Sequence, residues 1–127
     1  MGILPKYKVG SFAISYIFNP SEDKSIEKIF QVCERSVLWD GWKPEWSYTG
    51  KYYDVISANP LKLKYSTTGG IREKDFVPLE LRLMIDNSDF EESKELEPVN
   101  PKLYERGLKL AAKKREDWYN QFQIQQA

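Results

Sequence analysis

The sequence contains no histidine and a single cysteine, Cys33, and these two shortages remove most of the common catalytic sites. Histidine is the most frequent general base near neutral pH and a frequent transition-metal ligand. Without it, Ser-His-Asp and Cys-His mechanisms cannot operate within this chain. One cysteine can form no intramolecular disulfide and cannot complete a four-ligand zinc site. We therefore expect no metal, no cofactor and no catalytic residues.

The chain also lacks a net charge and a long apolar run. Its 127 residues carry 19 basic and 19 acidic side chains, so no global field attracts nucleic acid or an anionic membrane. No apolar stretch approaches the roughly 20 residues that a membrane helix needs. The apolar run at the N-terminus is too short for a signal peptide. These features predict one globular domain over residues 1–127, without a membrane partner and located in the cytoplasm.

The first part of the chain predicts a strand followed by a helix. Apolar residues alternate with small ones over 9–18, as in a strand. Asn19, Pro20 and Glu22 then occupy the cap, first-turn and capping-box positions of a helix. The apolar residues that follow recur at helical spacing: Ile26, Ile29, Phe30, Cys33 and Val37. This spacing predicts a helix over 20–37, which Asp40-Gly41 ends.

The rest of the chain predicts an antiparallel sheet and a second helix. The predicted segments are a loop over 39–53, strands over 52–57, 61–66 and 79–86, a glycine turn over 67–70 and an acidic connector over 86–99. Asn100-Pro101 repeats the cap-and-proline signal before a helical stripe over 101–122. The predicted fold class is α+β in the order β-α-β-β-β-α, with an antiparallel sheet of about four strands and both helices packed on one face.

Aromatic residues concentrate between the first predicted helix and the predicted sheet. The cluster consists of Trp39, Trp42, Trp46, Tyr48, Tyr52 and Tyr53. Large rings on a loop are typical anchors of protein interfaces, because they bury much area at a low cost in rotamer entropy. The same rings can instead cover an open end of the sheet and hold a long loop in place. The first interpretation predicts a partner-binding surface, and the second predicts core.

Charge is segregated between the connector and the second helix. The connector holds six acidic residues against Lys94, and residues 102–115 hold six basic residues against Glu105. The two segments can neutralise each other, or the basic side chains can contact phosphates. The candidate nucleic-acid-binding residues, from the predicted hairpin and the helix, are Lys62, Lys64, Arg72, Lys74, Lys102, Arg106, Lys109 and Lys113. Lysines on a hairpin also protect a sheet edge from strand addition.

The leading functional hypothesis is a small non-catalytic protein-binding module, of the inhibitor or immunity type, that occludes a partner protein. The aromatic cluster motivates it, and the acidic connector suits a partner with a basic surface. The first alternative is binding of RNA or single-stranded DNA through the basic hairpin and the basic C-terminal helix. The second is a carboxylate-dependent enzyme, such as a magnesium-dependent nuclease, with Asp54 and Glu80 as its acids.

Overall fold

The computed structural model describes residues 4–19, 24–84 and 93–126, which form seven strands, one long helix and a 3₁₀ turn. The strands are β1 (Phe12–Asn19), β2 (Lys24–Asp40), β3 (Lys43–Ala58), β4 (Leu61–Arg72), β5 (Val77–Leu79), β6 (Leu81–Leu83) and β7 (Lys94–Pro98). The long helix is α1 (Pro101–Gln126), and the 3₁₀ helix Glu73–Asp75 joins β4 to β5. No helix in these residues combines the length and the apolar character needed to cross a membrane.

The strands form one antiparallel sheet in the order β5-β1-β2-β3-β4-β7-β6. β5 and β6 lie at opposite ends of this order, yet Glu80 alone separates them in the sequence. The segment from β5 to β6 therefore pairs with β1 through its first half and with β7 through its second half. The Glu80 carbonyl also accepts a 2.9 Å hydrogen bond from the Val99 N–H, which extends the pairing with β7. The sheet is thus rolled until its two edges meet in one segment.

This architecture shows that the predicted α+β class, with about four strands and two helices, is wrong. Residues 24–40 form β2, not a helix, while residues 20–23 of the predicted helix lie outside the described residues. Ile29 packs into one apolar cluster, and its neighbour Phe30 packs into another on the opposite face of the sheet. A strand that is buried on both faces loses the alternation by which strands are recognised. Its apolar residues therefore also matched a helical stripe.

The predicted loop and glycine turn are also wrong. β3 begins at Lys43 and contains the predicted strand over 52–57, and β4 continues through 67–70 without turning. Gly50 and Gly69 lie opposite each other in β3 and β4. A Cβ on Gly50 would overlap the carbonyl oxygen of Gln31, and one on Gly69 would lie 2.8 Å from the Tyr52 ring. These glycines therefore permit close approach within the sheet and do not reverse the chain.

The C-terminal helix begins where the sequence predicts it. The Asn100 side chain accepts hydrogen bonds from the N–H groups of Lys102 and Leu103, at 3.1 and 3.4 Å, and so caps the helix. α1 packs on β1 and β5. Gly107 allows this close packing, because a Cβ at that position would lie 2.9 Å from the Leu79 side chain.

The predicted strand over 79–86 and the acidic connector over 86–99 are only partly described. The strand is divided at Glu80 between β5 and β6, and residues 85–92 lie outside the described residues. The end of the connector is not a loop but β7, and Lys94 at its start is buried. The connector therefore contributes a strand to the sheet.

Two apolar clusters lie on opposite faces of the sheet. The first fills the inside of the rolled sheet and includes α1; its buried members are Ile14, Ile29, Tyr53, Leu61, Leu63, Val77, Leu79, Leu96 and Ala111. The second cluster is on the outer face and is rich in aromatic rings; its buried members are Ala13, Phe30, Val32, Tyr48, Ile71 and Phe76. The Tyr7 ring stacks on Phe76, with ring centroids 4.0 Å apart, and covers this outer cluster.

Candidate functional site

The β2–β3 hairpin extends past the rest of the sheet as a two-stranded arm, residues 37–46. Toward this arm, β1 pairs with β2 no further than Gln31, and β4 pairs with β3 no further than Ser47. Within the described residues, the two strands of the arm pair only with each other. Their pairs run from Val37 with Trp46 to Asp40 with Lys43. Four residue pairs at ~3.3 Å per residue give the arm a reach of about 13 Å.

A two-residue turn closes the arm at Gly41 and Trp42. Gly41 has a φ of 65°, the left-handed conformation that the favoured hairpin turns require at their first central position. Asp40-Gly41 therefore reverses a hairpin, where the sequence predicted the end of a helix. Trp42 takes the second position of the turn and is 97% exposed.

One face of the arm is apolar from the core to the tip. Side chains alternate along a strand, so Val37 and Trp39 share a face with their cross-strand partners Trp46 and Pro44. Trp46 packs against the outer cluster, Val37 and Pro44 are half-buried, and Trp39 is 70% exposed. Together with Trp42 at the turn, these residues line the arm with apolar side chains from the outer cluster to the solvent. We call these five residues the tip strip.

The structure divides the six aromatic residues that the sequence grouped as a partner-binding surface. Trp39 and Trp42 are exposed on the arm. The other four pack into the two apolar clusters: Trp46, Tyr48, Tyr52 and Tyr53. Leu38 is an exposed apolar residue of the arm that the sequence analysis did not include, although it adjoins Trp39 just before the Asp-Gly turn.

Hydrogen bonds from two tyrosines, the buried Tyr48 and the half-buried Tyr52, hold the strands below the arm. The Tyr48 hydroxyl donates to the Glu73 carboxylate and accepts from the Tyr7 N–H at 3.3 Å. Burial, followed by the hydrogen bond to Glu73, raises the pKa of Tyr48 to about 12. The Tyr52 hydroxyl donates to the Gly70 carbonyl at 3.0 Å, and burial raises the pKa of Tyr52 to about 12. Both hydroxyls therefore remain donors at neutral pH, and they fix the strands from which the arm emerges.

A second candidate site is a cavity of about 130 Å³ inside the rolled sheet. Six strands contribute its walls, which consist of Phe12, Gln31, Tyr53, Leu63, Leu81, Leu83, Lys94 and Leu96. Leu83 is 45% exposed, so the cavity meets solvent on the side of β6. Residues that are far apart in the strand order share one cavity because the sheet is rolled.

Three polar side chains line this otherwise apolar cavity. Lys94 is 5% exposed. The Tyr53 hydroxyl donates to the side-chain oxygen of Gln31 at 3.5 Å, and the Gln31 amide donates to the Gly10 carbonyl at 3.3 Å. Burial, followed by the nearby Cys33 thiol, raises the pKa of Tyr53 above its usual range, so its hydroxyl keeps its proton.

Sequence reasoning did not find this cavity. Gln31 lay in a predicted helix, Lys94 in a predicted connector and Tyr53 in the aromatic cluster, so no local pattern connected them. The closure of the sheet through Glu80 brings them together. The burial of Lys94 is the one feature that could have indicated the cavity. Its burial could not be inferred from the sequence, because Lys94 lies within an acidic segment.

The candidate nucleic-acid-binding residues lie on different elements. Lys62 and Lys64 are exposed on β4, and Arg72 at the end of β4 lies 3.6 Å from Glu45. The helical group lies exposed on α1, which packs on β1 and β5: Lys102, Arg106, Lys109 and Lys113. Lys74 is in the 3₁₀ helix, where its carbonyl accepts a hydrogen bond from Lys114 of α1. Of the four basic residues of the predicted hairpin, Lys74 is thus beside the helix.

The carboxylates that the nuclease alternative requires have separate surroundings. Asp54 accepts a 2.7 Å hydrogen bond from the Lys28 ammonium, which also donates to Ser66 at 2.9 Å. Glu80 is exposed at the junction of β5 and β6. Across the described parts of the chain, no three cysteine or acidic side chains are grouped so as to hold a metal ion.

Comparisons with known proteins add no relative. No protein-family model, no curated protein and no solved structure matches this chain. The arm and the cavity are therefore the features from which function is inferred.

Proposed function

We propose that this chain is a small non-catalytic protein-binding module whose contact surface is the tip strip. The observation that carries the proposal is the exposure of two indoles, Trp39 and Trp42, at the end of an arm whose base is held in the core. The base of the strip packs against the outer cluster, so the arm leaves the sheet in a defined direction. Binding then costs little conformational entropy at this surface.

The two indoles are large enough to dominate an interface. Tryptophan is enriched among the residues that contribute most to protein–protein affinity. Burial of about 200 Å² by one indole contributes roughly 3–5 kcal/mol before the costs of association. Trp39 and Trp42 together therefore provide the anchor of a specific contact.

The charges of the arm favour a protein over a polyanion. Residues 37–46 carry two acidic side chains and one basic side chain. Nucleic acids and anionic membranes both require an excess of positive charge on the contacting surface. A narrow arm without an excess of positive charge, and with a reach of about 13 Å, suits a cleft in another protein. We propose that the arm enters such a cleft and occludes it, as an inhibitor or immunity-type protein does.

The test replaces both exposed indoles and measures capture of the partner. A Trp39→Ala/Trp42→Ala variant and the unchanged chain are immobilised, incubated with extract of the native host, and the captured protein is purified for calorimetric titration. We expect the dissociation constant to rise at least ~100-fold, because each truncation at such a position costs about 2 kcal/mol or more. The urea-unfolding free energy should change by less than about 0.5 kcal/mol, since both side chains are exposed.

A matched control removes an exposed apolar side chain elsewhere on the β2–β3 hairpin. Ile56 is 52% exposed at the other end of β3, and Ile56→Ala should leave partner affinity unchanged. Equal affinity of the double tryptophan variant and the unchanged chain would overturn the proposal. A large loss of stability in the double variant would show that the indoles hold the fold instead.

A further inference from the structure

The cavity inside the rolled sheet contains polar side chains that a protein contact through the arm would not involve. Most of its wall is apolar, from Phe12 and four leucines, and one charged side chain, Lys94, lines it. Lysine is almost never so fully buried, because removing an ammonium from water is costly unless other groups compensate. Lys94 has contacts within the protein, and it also lines the cavity.

The polar groups of the cavity are suited to an anion. An ammonium has three donors, so Lys94 can bind a ligand oxygen in addition to its contacts within the protein. The Tyr53 hydroxyl has a single proton, which it donates to Gln31 across 3.5 Å. Rotation about its C–O bond turns that proton to a ligand oxygen, which makes Tyr53 a further donor when a ligand is bound. A carboxylate accepts several hydrogen bonds at once, and charge-assisted bonds are the strongest of these.

We infer that the cavity binds a small organic monocarboxylate, with its carboxylate on Lys94 and Tyr53 and its hydrocarbon part among the leucines. The volume sets the size of the ligand. An engineered apolar cavity of 150 Å³ accommodates benzene, so a cavity of about 130 Å³ fits a hydrocarbon part of about five carbon atoms, as in hexanoate. The exposed edge at Leu83 provides the entrance. This site is separate from the tip strip.

The test compares three ligands of the same length that differ in their head group. Hexanoate, 1-hexanol and hexylamine are each titrated into the ¹⁵N-labelled chain, and the amide resonances of the lining residues are followed. We expect hexanoate to bind with a dissociation constant of ~1 mM or lower, and 1-hexanol to bind at least ~10-fold more weakly because it lacks the charge that Lys94 pairs. Hexylamine should not bind, because two ammonium groups repel each other.

Two variants test the Lys94 charge and the volume of the cavity separately. Lys94→Met keeps most of the unbranched side chain and removes its ammonium group, and it should weaken hexanoate binding at least ~10-fold while leaving 1-hexanol binding unaffected. Leu83→Trp fills the entrance from an exposed position that the fold tolerates, and should abolish binding of both ligands. It keeps the test decisive if Lys94→Met does not fold.

Two results would overturn the inference. One is equal affinity of the unchanged chain for hexanoate and 1-hexanol, which would mean that the charge has no role. The other is the absence of any change at the lining residues when hexanoate is in large excess. The Trp39→Ala/Trp42→Ala variant should bind hexanoate normally, so failure of this inference is distinguishable from failure of the proposed protein contact.

Discussion

The Tyr48 hydroxyl lies between the Tyr7 backbone and the Glu73 carboxylate, and the Tyr48 side chain is fully buried. Its pKa is raised from 10.0 to about 12, as is that of Tyr52. A phenol whose pKa is higher in the folded than in the unfolded chain favours folding while it is protonated. The stability that the two residues contribute is therefore complete below pH 10 and is lost as the pH rises through about 12.

We expect the free energy of unfolding in urea to fall between about pH 10 and 12, and to fall less steeply in Tyr48→Phe. Near neutral pH, Tyr48→Phe should cost ~1–3 kcal/mol, because it leaves the Tyr7 N–H and the Glu73 carboxylate without this partner. Tyr52→Phe is the matched control and should cost ~1 kcal/mol, since it removes one hydrogen bond to the Gly70 carbonyl. An alkaline slope unchanged in Tyr48→Phe would contradict this account.

Single residues also show which properties the local sequence can predict. The sequence identified the aromatic cluster, but no local pattern distinguishes the exposed Trp39 from Trp46, which packs in the core. Their exposure depends on where β1 and β4 stop pairing with β2 and β3, and that is a property of the whole sheet. Cys33, expected in an apolar helical stripe, is exposed on β2 because the segment is a strand.

Elements with a local signal were predicted well, and elements defined by their neighbours were not. α1 was found from Asn100-Pro101, because a cap and a fixed φ act within a few residues. β2 was predicted as a helix, because its two apolar faces hide the strand period. The glycines of β4 were predicted as a turn, because the sequence does not show that Gly69 lies beneath the Tyr52 ring.

The arm should open without unfolding the sheet. A two-stranded ribbon is marginally stable by itself in water, and residues 37–46 have only each other as described strand partners. We expect their amides to exchange with deuterium at least ~100-fold faster than those of Ile29 and Phe30, which belong to the same strand but pair on both sides. Residue-resolved NMR exchange measures both sets in one sample. Equal protection would show that the arm is held by contacts other than its own ladder.

The rolled shape of the molecule depends on the single residue between β5 and β6. A one-glycine insertion after Glu80 should turn Leu81 and Leu83 to the opposite face, because successive residues of a strand alternate. A two-glycine insertion keeps their orientation and is the matched control. We expect the single insertion to be less stable than the double by ~1–2 kcal/mol in urea unfolding, since it removes Leu81 from the inner cluster. The reverse order would show that β6 does not close the sheet.

Pro44 limits how copies of this chain can associate at high concentration. The outer sides of the arm carry backbone groups that the described strands do not use, and such edges are templates for fibril growth. Proline has no N–H, so a strand added along β3 would meet a gap in the row of donors beside Trp39. The chain can therefore present two indoles to water without also offering an uninterrupted β3 edge for amyloid-like stacking.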